Sequence, residues 1–292
     1  MNLNSEQKVL IQGITGQESA YWVRRMVEYG TNIVAGTSPG RGGMERYGIP
    51  VYNTVKAALR EHQIDTSIIF VPPDFTLGAA LEAIEGGVKQ LIILVDGVPV
   101  HHTMKIISLA EIYGVTVFGP NTPGMVFPGS CSLGIMPCWL GHLFRPGKMA
   151  ILSRSGSLGN EICYQVSKTS LGISKFIGIG GDALVGTTFI DLLLELDKDD
   201  TIEGIIIVGE LGGNMEETAA AYIPNLNKMV FAYITGKTAP LGVPMGHAGA
   251  IIEGSAGSSL SKIKILQNNG AVVFETPDQI PGVLRQSFGI KG

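Results

Sequence analysis

Short runs of apolar, mostly β-branched residues alternate with longer helical patterns along this whole chain, and that alternation constrains its fold more than any other feature. In the first half the runs are Val9-Leu10-Ile11, 32–35, 67–71, 91–95 and 115–118. They are apolar on both faces, as strands of a parallel sheet covered by helices on each side must be. The stretches between them carry readable helix ends. Thr54 is placed to cap a helix running to His62, Asp74 one ending at Gly86-Gly87, and Thr103 one stopping at Gly114. Strand–helix alternation with short loops predicts an α/β fold with a doubly wound parallel sheet.

After Gly119 the sequence becomes rich in Pro, Gly, Cys and Ser as far as Gly147 and holds no sustained period, which reads as a connection. The alternation then restarts with apolar runs at 149–152, 176–179, 205–208, 230–234 and 271–274. Asn214 ahead of Met215-Glu216-Glu217 reads as an N-cap with a carboxylate at the third helical position. Thr276 followed by Pro277 reads as a cap with proline at the first position. The predicted organisation is one α/β domain over 1–125, a connection over 126–147 and a second α/β domain over 148–292. A chain of 292 residues is long enough for two cores.

A formal charge of −4 and no Lys/Arg runs argue against nucleic acid as a ligand. The three cysteines, Cys131, Cys138 and Cys163, match neither a zinc pattern nor a disulfide framework. The polar N-terminus lacks a signal peptide's apolar stretch, and no run reaches membrane-spanning length. These features predict a cytoplasmic protein with no membrane partner. The 40 glycines, without a Gly-X-Y period, suit an α/β protein whose ligand sites are built by strand-to-helix loops.

Four loops carry the chemistry. Gln12-Gly13-Ile14-Thr15-Gly16-Gln17-Glu18 leads from the first strand into a helix, where backbone N–H groups and the helix dipole attract phosphate. It lacks a full G-x-G-x-x-G, and a plain tight turn fits it equally well. The next loop, 37–43, sets Arg41 among glycines, where a guanidinium can hold a second phosphate or simply cover a surface turn. Together the two favour a nucleotide-containing cofactor. In the second half, Ser155, Gly156 and Ser157 present N–H groups at a helix start, another anion site. Ser153 stands where a nucleophile elbow needs glycine, so the loop does not read as that of a serine hydrolase.

The fourth loop is Met245-Gly246-His247-Ala248-Gly249-Ala250. No bulky neighbour crowds His247, which suits a base, a metal ligand or a covalent phosphate carrier. Glu210, just past a buried run, is placed to fix the imidazole's tautomer, although a helix N-terminal acid fits that position as well.

Taken in order, these segments resemble the α subunit of succinyl-CoA synthetase and the related NDP-forming acyl-CoA ligases. The resemblance rests on Gln12-Gly-Ile-Thr-Gly16, Pro39-Gly-Arg-Gly-Gly43, Gly119-Pro-Asn-Thr-Pro-Gly124, Ser153-Arg-Ser-Gly156, Gly178-Ile-Gly-Gly-Asp182, Gly209-Glu-Leu-Gly-Gly213 and Gly246-His-Ala-Gly-Ala250. It implies a Rossmann-like CoA-binding domain followed by a flavodoxin-like ligase domain. It further implies a separate β subunit whose ATP-grasp domain binds ATP or GTP and Mg²⁺, and a small carboxylic acid substrate. The family's phosphorylated histidine falls on His247 and its supporting glutamate on Glu210. Its CoA contacts fall on Thr15, Gly16, Gln17, Glu18, Arg41, Leu94, Val95 and Asp96. Its acid and phosphate site falls on Ser155, Gly156, Ser157 and residue 160, and no metal ligand is expected on this chain. In family terms the acid becomes an acyl phosphate, which the CoA thiol then attacks.

Three departures stand out. Glu18 adds a negative charge where phosphates are expected, and Thr122 replaces a usual cysteine. Asn160 replaces the tyrosine associated with the acyl substrate, as in the ATP-citrate lyase branch. Succinate is the first expected acid, with malate or citrate as alternatives. A non-catalytic CoA-binding regulator also keeps the first domain, but intact His247 and Glu210 weigh against it, and an incomplete dinucleotide fingerprint disfavours a dehydrogenase.

Overall fold

The computed structural model describes Met1 and residues 3–240, 242, 245–247, 249–251 and 257–290. The chain separates into two compact units, Met1–Trp139 with Leu184–Gly186, and Leu140–Ala183 with Thr187–Gly292.

The first unit holds β1 (Val9–Gln12), α1 (Gln17–Tyr29), β2 (Ile33–Thr37), β3 (Glu45–Arg46), β4 (Ile49–Tyr52), α2 (Val55–Leu59) and β5 (Thr66–Ile69). It continues with α3 (Pro73–Glu85), β6 (Gln90–Ile93), α4 (Val100–Tyr113), β7 (Thr116–Phe118), β8 (Gly124–Phe127) and β9 (Cys131–Gly134). Its sheet runs β3-β4-β2-β1-β5-β6-β7. Only β3 is antiparallel; the other strands are parallel and follow the 3-2-1-4-5-6 order of a Rossmann fold. β1, β5 and β6 are buried along their whole length, as their apolar runs require. The strand order reverses between β1 and β5, so a crevice opens beyond their carboxyl ends.

Thr54 caps α2 as expected, its Oγ1 accepting the Ala57 N–H at 3.1 Å. Asp74 and Thr103 do not cap. Pro73, with φ already set for a helix, lets α3 begin ahead of Asp74, which lies in the first turn, where its charge meets the helix dipole. Pro99 likewise precedes the first residue of α4, and Thr103 is buried within that helix. The stretch read as a connection contains the antiparallel pair β8–β9. Thr31, just past α1, ties it down: its hydroxyl donates to the Ser132 carbonyl at 2.7 Å and accepts the Ser132 N–H at 3.1 Å.

The second unit holds β10 (Pro146–Ser153), α5 (Gly156–Ser167), β11 (Ile173–Gly178), α6 (Phe189–Leu196), β12 (Gly204–Gly209), α7 (Met215–Ala220), β13 (Met229–Ile234), α8 (Ser259–Asn268), β14 (Val272–Val273) and α9 (Ile280–Ser287). These strands run β14-β13-β12-β10-β11 and are all parallel. Read from β11, this is the 2-1-3-4-5 order of flavodoxin-like sheets, with its reversal between β10 and β12. Ile151, Leu152 and Ile205–Ile207 are fully buried at its centre. Asn214 holds the cap position of α7 but makes no side-chain cap bond. Thr276 precedes a 3₁₀ turn, Pro277–Gln279, that runs into α9.

Candidate active site

Each unit carries its site where its strand order reverses. In the first, a cavity of about 570 Å³ is lined by the loops after β1, β2 and β5 and by one face of α3. Thr15 and Gly16 are on its wall, and the Thr15 and Ser38 hydroxyls meet at 2.7 Å. Gly16 is the N-cap of α1 and supplies no side-chain acceptor, so the first-turn N–H groups stay available to an anion. Gln17 and Glu18 lie exposed in that first turn. Arg41 is exposed two residues beyond Pro39, which does line the cavity. Leu94, Val95 and Asp96 follow β6 and are not on the wall; Leu94 is buried, and the Val95 carbonyl accepts the Asn121 N–H at 2.9 Å. Asn53 and Phe75 line the cavity without having been expected. Phe75, 68% exposed in the first turn of α3, is a large apolar side chain at a cavity mouth. Position after a diproline was its only signal in the sequence.

In the second unit Arg154 follows β10 directly and Glu210 follows β12, so the two strands that flank the reversal bring them together. His247 Nδ1 lies 2.7 Å from Glu210 Oε2, and Arg154 Nη2 lies 3.2 Å from Glu210 Oε1. An ionised carboxylate only accepts, so Nδ1 carries the proton and neutral His247 keeps its lone pair on Nε2. The Glu210 bond holds the imidazole pKa above its ordinary value; burial and the Arg154 charge pull it back, and Asp182 adds to the rise. Gly181 faces the ring, and a Cβ there would come within 2.6 Å of it. A Cβ on Gly249 would come within 2.7 Å of the Arg154 guanidinium. Glycine in both motifs is thus a demand of close approach, while Gly246 takes φ +86° ahead of the histidine. Ala248 of the same run lies outside the described residues.

Ser155 caps α5, its Oγ accepting the Leu158 N–H at 3.4 Å, and Gly156 opens the helix. Ser157 and Asn160 line a separate opening of about 370 Å³ with His142, Leu143, Glu161 and Tyr164. Ser155 and Gly156 are not on its wall. Asn160 Oδ1 is buried and has no hydrogen-bond partner among the described residues. The structure therefore joins His247 to Glu210, and Ser157 to Asn160. Arg154, Glu216 and Lys262 are the residues that sequence reasoning passed over. An arginine directly after a buried run was a readable signal for the first; nothing in the sequence marked Lys262.

The CoA binding domain family matches residues 4–105, and the CoA-ligase family matches residues 152–272. The α subunit 2 of an ADP-forming succinate–CoA ligase from Archaeoglobus fulgidus is 45% identical over 278 residues, 95% of this chain and 96% of the relative. The chain belongs to the succinate–CoA ligase α-subunit family. This family of acid–thiol ligases also includes relatives with other substrates in their names. A malate–CoA ligase α subunit from Methylorubrum extorquens is 39% identical over 94% of each chain. An ADP-forming sulfoacetate–CoA ligase subunit from Acholeplasma is 40% identical, covering 99% of this chain and 98% of the relative. In fold, the whole ligase subunit superposes on ATP citrate lyase from Methanothrix soehngenii with a TM-score of 0.90 at 24% identity, spanning 52% of that longer polypeptide. The first unit is accordingly a CoA-binding domain and the second a CoA-ligase domain. No described helix is long and apolar enough to cross a membrane.

Proposed function

We propose that this chain is the phosphoryl-carrying α subunit of an NDP-forming acid–CoA ligase, with His247 as the carrier. The observation that carries this reading is the 2.7 Å bond from His247 Nδ1 to Glu210, which leaves Nε2 as the nucleophile. A carboxylate and a thiol do not condense, because the acid lacks a leaving group. His247 Nε2 attacks the terminal phosphorus of ATP or GTP, and the diphosphate departs. A carboxylate oxygen of the acid then takes the phosphoryl group, restoring the free imidazole. The thiol sulfur of CoA attacks the acyl carbon, and phosphate leaves. Glu210 stabilises the charged imidazole at each phosphoryl step.

The wall of the first-unit cavity fits CoA: a hydroxyl pair, an uncapped helix N-terminus for phosphate and apolar side chains. That the relatives are α subunits supports a separate β subunit; on our reading its ATP-grasp domain takes the nucleotide and Mg²⁺, and the assembled enzyme works in the cytoplasm. Mg²⁺ there would offset phosphate charge during transfer. Labelling with γ-³²P nucleotide in the assembled enzyme tests the reading. Acid-labile, base-stable label should appear on the wild type and vanish in His247→Ala; label that survives in that variant would refute it.

Succinate is the first acid to assay. A specific observation favours a hydroxylated acid as a second reading: Asn160 lines the opening it shares with Ser157, and its buried amide oxygen has no described donor. A hydroxyl, as in malate or citrate, would supply that donor.

A further inference from the structure

Behind the histidine lies a chain of buried charges that the reaction above does not use. Lys262 on α8 and Glu216 on α7 are both fully buried and form an ion pair. Lys262 Nζ also reaches Glu217 Oε2 at 2.9 Å. Glu216 Oε1 accepts the backbone N–H of Glu210 at 3.1 Å and stands 3.9 Å from Arg154 Nη1. Arg154, 1% exposed, therefore sits between two carboxylates, one of which holds His247. Its Nε and Nη1 have no hydrogen-bond partner among the described residues. One guanidinium with spare donors, shared by two buried acids, is a division of charge that a third group can tip.

We propose that Lys262 tips it: by neutralising Glu216 it leaves Arg154 committed to Glu210, and so sets how strongly Glu210 holds a proton on His247. Lys262 is on this account a positioning residue that touches neither the imidazole nor any substrate. The groups that bear on the imidazole are Glu210, Arg154 and Asp182 directly, with Glu216, Glu217 and Lys262 behind them. Without the lysine, Glu216 has Arg154 as its nearest cation and draws the guanidinium away from Glu210. A carboxylate relieved of its cation attracts a proton on the imidazole more strongly. Removing the Glu216 charge instead leaves Arg154 wholly to Glu210 and has the opposite effect. The proposal deepens the phosphohistidine reading, but its first test does not depend on that reading.

That test is the titration of the His247 ring by nuclear magnetic resonance in the full chain, with the resonance assigned by its loss in His247→Ala. Lys262→Met should raise the midpoint, and Glu216→Gln should lower it, each by about one pH unit, a tenfold change in the ratio of protonated to neutral ring. Lys262→Arg should leave it in place, and Lys262→Met/Glu216→Gln should match Glu216→Gln alone, because no second acid then competes for Arg154. Midpoints that stay put in the folded variants, or move in the same direction for both, would overturn the proposal and leave Lys262 a purely structural residue. Should Lys262→Met fail to fold, Glu216→Gln and the double variant still decide the matter. A second readout is the pH dependence of histidine phosphorylation in the assembled enzyme, which should shift with the same signs. Correct titration shifts without any phosphohistidine would uphold the charge division and refute the carrier role.

Discussion

At the scale of residues, the informative pair is an imidazole and a carboxylate from segments 37 positions apart in the chain. Glu210 raises the pKa of His247, with burial and Arg154 opposing. The sign of the pH dependence follows. The protonated pair stabilises the fold fully below the unfolded value of about 6.5, and that contribution is lost as pH rises through the higher folded value. Phosphoryl acceptance runs the other way, because Nε2 must be unprotonated. The rate of His247 phosphorylation should therefore climb with pH through the raised value. Glu210→Gln should move that midpoint down and cut the rate; rapid-quench kinetics across pH would measure both, and an unmoved midpoint would separate Glu210 from the histidine's chemistry. Asn160 makes a second claim at this scale. Asn160→Tyr should shift the preference of the enzyme from hydroxylated acids toward succinate by roughly tenfold, about the worth of one hydrogen bond. A panel of acids at saturating nucleotide and CoA is the measurement, and an unaltered ranking would make Asn160 a packing replacement only.

At the scale of elements, the loops at strand ends do two different jobs that look alike in sequence. Ser155 serves α5 as a cap, so Ser155→Ala should lower stability by about 1 kcal/mol in urea unfolding while leaving the His247 titration where it is. Gly181 serves the site instead. A methyl group 2.6 Å from the imidazole must push the ring aside, so Gly181→Ala should slow phosphorylation at least tenfold, with strain of about 1–3 kcal/mol. A Gly181→Ala enzyme labelled at the normal rate would show that the ring has room. The helix starts that sequence reasoning misplaced, at Asp74 and Thr103, share one cause. A proline with helical φ moved the start upstream of a polar residue that was itself competent to cap.

For the whole molecule, the division of the chain into two compact units predicts two unfolding transitions and not a single one. CoA at a hundredfold excess over its Kd stabilises its own unit by about 2.7 kcal/mol. Calorimetry of the chain without any partner should show one transition rising with CoA and the other unmoved. Arg41→Ala should weaken CoA by roughly 1–3 kcal/mol if its guanidinium holds a phosphate beyond the Pro39 wall. An equal shift of both transitions, or equal affinity in Arg41→Ala, would count against these assignments. The apolar runs and the glycine motifs, read as a sequence, determined that this is a two-domain α/β protein and which loops reach the carboxyl edges. Those features are local: strand burial on both faces and close backbone approach leave their mark on consecutive residues. Only the tertiary structure decided that β1 borders β5 and that β10 borders β12. It alone placed Arg154 between Glu210 and Glu216 and turned Lys262 inward to meet them. A lysine on a helix reads as a solvent-facing charge, and what buries it is a carboxylate pair 45 and 46 residues away that no periodicity encodes.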